Sequence, residues 1–267
     1  MHVLITGAGG RVGGMIAAEL AAAGHRVTRL GRRPGEHPWD LADRAPTLPA
    51  ADALVHAALA HVPGAYRGGE GDDPERFVQL NRDGTRALFE AARDIRVVFL
   101  SSRAVYGDHR RGETLREDDT PEPDSLYGEV KLAGEAALGP RGVALRSTGV
   151  YGGRDHKWAG LFASYLRGDP VPPRVGTEVH GADLASAVAL LLDRTEAGAF
   201  NVSDLLLDRH DLLARVRDLA GCPHPPPARF EGPAPGVMAT DRLRALGWTP
   251  GGWSRLDGFL ASVVDAS

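Results

Sequence analysis

The beginning of this chain constrains its fold more than any other stretch. HVLIT, residues 2 to 6, is a short aliphatic and β-branched run that passes without a linker into the glycine turn TGAGGRVG and then into a helical pattern from Val12. Gly7, Gly10 and Gly13 fall at G-x-x-G-x-x-G spacing. A strand that turns at once into a helix needs residues without a Cβ at the turn, and the first helical turn offers N–H groups with no intrahelical partner. Such a terminus attracts anions, and glycines that let a pyrophosphate approach the backbone make it a dinucleotide cradle. In a chain with 34 glycines the triplet alone is weak; its place between the first strand and the first helix is the context that the fingerprint requires.

The same rhythm continues. Strand candidates at His2 to Thr6, Arg26 to Leu30, Ala53 to His56, Arg96 to Ser101 and Val143 to Arg146 alternate with helical patterns at Val12 to Ala23, Pro74 to Arg93 and Ser125 to Leu138. Strands separated by helices of this length pair in parallel through right-handed crossovers, so residues 1–150 read as a doubly wound parallel α/β sheet of Rossmann type. One crossover departs from the pattern. GRRPGEHPWDLADRAPTLPAAD, between the second and third strands, has four prolines, so its helix should be short or missing. After Arg146 the chain breaks into a glycine turn YGGRDHK, extended pieces around Val171 and Thr177, helices from Asp183 and Asp208, a strand AFNVS, the proline-rich run CPHPPPARFEGPAPG and a closing amphipathic helix. Residues 151–267 therefore read mainly as a small C-terminal α/β substrate lobe, too scattered for a core of its own, with some segments returning to the first domain. Asp183 reads as a helix cap.

Composition narrows the partners. The 267 residues carry 31 Lys and Arg against 35 Asp and Glu, a net charge of −4, which gives no reason to expect nucleic acid or an anionic membrane as a partner. Cys222 is the only cysteine, so an internal disulfide and a multi-cysteine metal site are excluded. His56 and His61 show no ligand spacing with an acid, and no metal is expected. The most apolar helical stretches, MIAAELAAAG and LASAVALLL, are too short to span a bilayer, and the start lacks a signal-like segment. A reduced, cytoplasmic protein is expected.

In a dinucleotide-binding unit the end of the second strand reads the adenosine ribose: an acid there bonds the 2′-hydroxyl, whereas arginines accommodate a 2′-phosphate. HRVTRL ends in Gly31, Arg32 and Arg33, with no acid. An arginine fork matches a phosphate, which favours NADP and leaves NAD open. The competing reading is two solvated arginines in a loop. Further on, DSLYGEVKLAG places Tyr127 and Lys131 four residues apart, on one face of a helix. Alone, that spacing is equally consistent with an exposed aromatic followed by an exposed cation.

In chain order these segments resemble the extended short-chain dehydrogenase/reductase family, the NAD(P)-dependent sugar epimerases, dehydratases and reductases. TGAGGRVG is similar to its glycine fingerprint, DALVHAA to its third strand, LNRDGTRALFEAAR to the helix with the N-x-x-G-T signature, VFLSSRAVYGD to the serine-bearing strand, YGEVK to the Tyr-x-x-x-Lys motif and LRSTGVYGG to the fifth-strand exit. HGADLASAV and LRALGWTP are similar to its C-terminal signatures. The resemblance implies that Gly7, Gly10, Arg11, Val12 and Gly13 cradle the pyrophosphate and that Arg32 and Arg33 face the adenosine ribose. It sets Asp40 and Leu41 at the adenine, with an N-cap or loop carboxylate the other reading of Asp40. Ala57 and Ala58 would pass under the adenosine and pyrophosphate, and Thr148 would lie beside the nicotinamide.

The same resemblance gives Tyr127 the proton at the substrate oxygen. A free tyrosine at pKa about 10 is a poor base at neutral pH, so Lys131, one turn later, has to favour its phenolate and also bond the nicotinamide ribose. Ser102 would polarise the reacting oxygen, with Ser101 pointing the other way along the strand. Asn81 reads as a brace near the site. Dehydratases of the family place an Asp-Glu pair directly after the active-site hydroxyl; Arg103 and Ala104 stand there, so dehydration is disfavoured. The expected activity is a nucleotide-sugar or keto-sugar reductase or dehydrogenase, with an NAD-dependent epimerase and a non-catalytic NADP sensor as alternatives. Arg154, Lys157, Arg167 and Arg174 are candidate cations for a nucleotide diphosphate, and AHVPGAYRGGEGDD is a candidate substrate lid. The helices at Pro74 to Arg93 and Ser125 to Leu138 would build a homodimer by the family pattern.

Overall fold

A computed structural model of the chain describes residues 1–62, 69–153 and 155–264. Its first half runs β1 (His2–Thr6), α1 (Arg11–Ala22), β2 (Arg26–Gly31), β3 (His37–Pro38), β4 (Ala53–His56), α2 (Pro74–Val78), a π-helical turn (Gln79–Asp83), α3 (Gly84–Ala91) and β5 (Arg96–Ser102). A 3-10 turn (Arg103–Tyr106), β6 (Thr114–Leu115), α4 (Leu126–Ala136), β7 (Gly142–Ser147), β8 (Gly149–Tyr151) and α5 (Ala159–Leu166) follow. The chain closes with β9 (Val175–His180), α6 (Gly181–Leu192), β10 (Gly198–Val202), β11 (Leu205–Asp208), α7 (Arg209–Ala220), β12 (Val237–Met238), α8 (Asp241–Ala245) and α9 (Gly252–Val264).

Among the described residues seven strands form one sheet in the order β10-β7-β5-β4-β1-β2-β3, every pair parallel. Its central strands are apolar on both faces, as strands covered on both sides must be. On one face Val3, Ile5, Val55, Val98 and Leu145 pack against Ile16 and Leu20 of α1 and Leu184, Val188 and Leu191 of α6. On the other Leu4, Leu54, Val97 and Phe99 pack against Leu88 and Phe89 of α3. Strand order runs outward from β1 and β4 in both directions, so the crevice beyond their carboxyl ends is the place where such a sheet binds ligands. The expected loss of the second crossover helix is borne out: β2 reaches β4 through β3, a two-residue edge strand paired at Leu30↔His37 and Gly31↔Pro38.

Two features of residues 151–264 stand out. AFNVS lies in the main sheet as β10, beside β7. The lobe also has a core of its own, in which Tyr151, Trp158, Phe162, Tyr165, Leu207, Leu213, Leu256 and Phe259 cluster between β8, β9, β11 and helices α5, α7 and α9. Its apolar residues are scattered in sequence because three separate helices each contribute one face. Asp183 is also not a cap. His180 Nδ1 accepts the Ala182 N–H at 3.1 Å and caps α6. Asp183 is buried and fastens the C-terminal segment instead, accepting from Gly251 N at 3.1 Å through Oδ2 and from Trp248 Nε1 at 2.9 Å through its carbonyl.

Candidate active site

The glycine turn is built as its spacing predicts. Gly7 has φ +71°, and a Cβ on it would lie 2.7 Å from the backbone of Ala57 and Ala58; a Cβ on Gly13 would lie 2.3 Å from the Gly7 carbonyl oxygen. These contacts draw β1, the start of α1 and the end of β4 together at one point. Gly10 caps α1 without any side-chain acceptor, leaving the first N–H groups of the helix for an anion. Arg11 stands exposed at the first helical position, and Val12 is half-buried against the core. A cradle closed to any Cβ and floored by uncapped helix N–H groups fits a dinucleotide pyrophosphate.

Ala57 and Ala58 are held by groups that the motif does not announce. Both of their N–H groups donate to Thr6 Oγ1, each at 3.2 Å. With its lone pairs so used, the Thr6 hydroxyl donates to His56 Nδ1 at 2.7 Å, which places the imidazole hydrogen on Nε2, donated to Thr85 Oγ1 at 3.0 Å. His56 is fully buried, with Phe99 stacked on it and Trp39 and Phe89 at its edges. Burial, with Lys131 adding to it, pushes its pKa down to about 3, so the ring is neutral. Asn81, in the π-helical turn, braces the same loop: its side chain accepts from Ala60 N and donates to Ala60 O, both at 2.8 Å.

Beyond the end of β2 Arg32 Nε lies 3.4 Å from Asp40, and Asp40 Oδ1 also accepts from Ala42 N at 2.8 Å. The Arg33 guanidinium lies over Gly9. Leu41 turns its side chain into the core beneath the cleft, and its carbonyl lies against Gly84, where a Cβ would approach to 2.0 Å.

Ser102 ends β5 and caps the 3-10 turn, its Oγ accepting from Ala104 N at 3.2 Å, which leaves the hydroxyl hydrogen to donate elsewhere. α4 packs on that turn because residue 128 is glycine; a Cβ there would lie 2.5 Å from the Ala104 carbonyl oxygen. The half-buried Tyr127 precedes this contact, so its place beside the serine turn is set by its neighbour. Lys131 is buried, its Nζ 2.7 Å from the Leu100 carbonyl and 5.8 Å from the Tyr127 ring centroid. Burial lowers its pKa to about 8, with Glu135 pulling the other way. The structure thus sets Lys131 beside Tyr127 on α4 and packs that helix on the turn that follows Ser102.

Behind them lies a polar network that sequence reasoning missed. Glu135, one turn beyond Lys131, takes Arg146 Nη2 at 2.7 Å and Nε at 3.1 Å and also accepts from Ser101 Oγ. Ser101 therefore points away from Ser102, as the strand pleat predicts. Arg146 Nη1 donates to Tyr106 OH at 2.8 Å, which donates to Asn201 Oδ1 at 2.8 Å. The partners lie far apart in sequence, and no local spacing signals them.

On the lobe side the Thr148 hydroxyl donates to the Thr177 carbonyl at 2.6 Å, so its side chain ties the link between β7 and β8 to β9. Lys157 is paired with Glu178 beside Gly149; burial lowers the lysine and raises the carboxyl. Lys157 is thus already neutralised within the protein. Arg167 pairs with Asp169 at 2.6 Å, Arg174 is exposed, and Arg154 lies outside the described residues, as does 63–68 of the candidate lid. Among the described residues no group of three or more His, Cys, Asp or Glu could hold a metal, and no helix is long and apolar enough to cross a membrane.

The profile of the NAD dependent epimerase/dehydratase family matches residues 3–203. The dTDP-4-dehydrorhamnose reductase of Mycolicibacterium smegmatis is 29% identical in an alignment covering 100% of this chain and 87% of that protein. The Thermus thermophilus UDP-glucose 4-epimerase, solved with NAD, matches with a TM-score of 0.75 and 28% identity over 99% of this chain and 98% of that one. The human epimerase family protein SDR39U1 (isoform 2), solved with NADPH, shares the fold at a TM-score of 0.80 and 20% identity over 100% of both chains.

Proposed function

This chain belongs to the NAD dependent epimerase/dehydratase family, and from that premise we propose that it is an NAD(P)-dependent reductase or dehydrogenase acting on a nucleotide-linked keto-sugar. The observation that carries the reading is Tyr127 and the buried Lys131 on one face of α4, packed on the turn that follows Ser102. NADP is the favoured cofactor, with NAD the alternative. Gly7, Gly10 and Gly13 with the first N–H groups of α1 would hold the pyrophosphate, and Arg32 and Arg33 stand at the adenosine end. Bound there, the nicotinamide would supply or accept the hydride.

The chain's own residues manage the proton. Ser102 donates its hydroxyl hydrogen to the reacting oxygen and stabilises charge as it develops there. In the reducing direction Tyr127 gives its phenolic proton to that oxygen, and the Lys131 ammonium, near 5.8 Å from the ring centroid, offsets the charge left on the phenolate. A pKa of about 8 keeps the lysine mostly charged at neutral pH. Elimination of water has no acid or base after Ser102: residue 104 is alanine, and Arg103 is ion-paired with Asp108.

Likeness to the T. thermophilus UDP-glucose 4-epimerase supports epimerisation as the second reading. The reading also carries a cytoplasmic homodimer in which α2, α3 and α4 of two copies pack together. Tyr127→Phe tests the chemistry: turnover on nucleotide-linked keto-sugars should fall about 10²- to 10⁴-fold while the cofactor dissociation constant stays unchanged. Retained turnover would refute the assignment, and epimer formation without added cofactor would replace the reductase by an epimerase.

A further inference from the structure

The sequence at the end of β2 shows no acid, yet the fold delivers one. β2 ends at Gly31, the position from which a dinucleotide-binding unit reads the adenosine ribose. Next comes a tight turn, Arg33-Pro34-Gly35-Glu36, closed by the Glu36 N–H donating to the Arg33 carbonyl at 3.1 Å. Proline at its second position and Gly35 at φ +85° are what a type II turn requires. The reversal lays Glu36 back on the strand end. A Cβ built on Gly31 would lie 2.2 Å from Glu36 Oε2, so the carboxylate stands where a side chain at residue 31 would begin. The Arg33 N–H donates to the same oxygen at 3.1 Å and fixes it there.

Charge in this corner is mixed. The cleft, about 320 Å³, is lined by Arg32 and Arg33 but also by Glu36, Asp40 and Asp43. Arg32 is engaged by Asp40, and Arg33 reaches away over Gly9. A ribose diol can donate to a fixed carboxylate, whereas a 2′-phosphate placed at the same point meets a like charge.

We propose that Glu36 is a specificity-determining residue for the cofactor, its carboxylate accepting from the adenosine ribose hydroxyl and opposing a 2′-phosphate that Arg32 and Arg33 attract. Balance between these residues sets the preference between the two coenzymes. The inference rests on the dinucleotide reading of the glycine turn. It predicts a ratio that the arginine pair alone would not, because removing one negative charge acts in opposite directions on NADH and NADPH.

The test is equilibrium titration of the full-length protein with NADH and with NADPH, followed by nicotinamide fluorescence, for the wild type, Glu36→Gln and Arg33→Ala. Glu36 is half-exposed on a surface turn, so the melting temperature of Glu36→Gln should match the wild type. The expected result is NADH binding weakened and NADPH binding tightened by Glu36→Gln, moving the ratio of dissociation constants at least about tenfold toward NADPH, a charged hydrogen bond's worth. Arg33→Ala should move it the opposite way. An unchanged ratio in Glu36→Gln, with wild-type binding intact, overturns the role of Glu36 alone. Failure of the wild type to bind either coenzyme overturns the cofactor reading and this inference with it.

Discussion

Acid should destabilise the fold through one buried group, His56. In the native state its Nδ1 accepts from Thr6 and its Nε2 donates to Thr85, in a site with no exposure to water. Protonation would put a second donor against the Thr6 hydroxyl, whose lone pairs already serve Ala57 and Ala58. The native pKa is down from 6.5 to about 3 through burial, so the unfolded chain binds a proton throughout that window and the native chain does not. The contribution of neutral His56 is therefore complete above pH 6.5 and is lost as pH falls toward 3. At about 1.4 kcal/mol per unit the full loss is about 5 kcal/mol, of which about 2 kcal/mol appears between pH 7 and pH 5. Urea unfolding of the wild type and of His56→Gln across that range isolates this share, because Gln keeps an acceptor and a donor but does not titrate. The wild type should lose about 2 kcal/mol more than the variant. Parallel stability curves for the two proteins would refute the reasoning.

Two further perturbations test the supports of the site. Gly84→Ala forces a Cβ onto the Leu41 carbonyl, a backbone clash that side-chain rotation cannot relieve; it should cost about 1–3 kcal/mol in denaturant unfolding, and an unchanged midpoint would contradict the close approach. Glu135→Ala leaves the Arg146 guanidinium, 6% exposed, without its counter-ion and should cost about 3–5 kcal/mol, whereas the double variant Glu135→Ala with Arg146→Met should recover much of that loss by calorimetry.

Much of the architecture was legible because the information is local. Continuous apolar runs such as VVFL mark strands buried on both faces, the four prolines after Gly31 announce the missing crossover helix, and a glycine at φ +71° is already foretold by TGAGG. The packing of α4 on the turn after Ser102 has a local basis too, because Ser102 closes β5 and Tyr127, Gly128 and Lys131 sit at fixed registers of α4. What escaped is long-range. Thr6, His56 and Thr85 sit on three elements and read separately as a strand residue, a stray imidazole and a helix residue; only the parallel pairing of β1 with β4 makes them a chain. Lys157 looked like a free cation until β9 brought Glu178 to it.

Glu36 shows why the cofactor question is harder to read than the fold. Motif reading assigns roles by offset from the glycine turn, and at the expected offset this chain has Gly31 followed by two arginines. Pro34 and Gly35 look like ordinary loop residues, but together they determine the direction in which the chain leaves β2. A type II turn returns residue 36 to the space that the missing side chain of residue 31 left open. Glycine at the strand end and glutamate five residues later are therefore one feature: a larger residue at 31 would expel the carboxylate, and a different turn would never bring it there. Electrostatic readings drawn from sequence count the charges near a motif, whereas the ligand meets only those that the backbone aims at it. Two arginines in sequence become, in the folded cleft, an exposed arginine 3.4 Å from Asp40, an arginine lying over Gly9, and an acid at the end of the strand that opposes them.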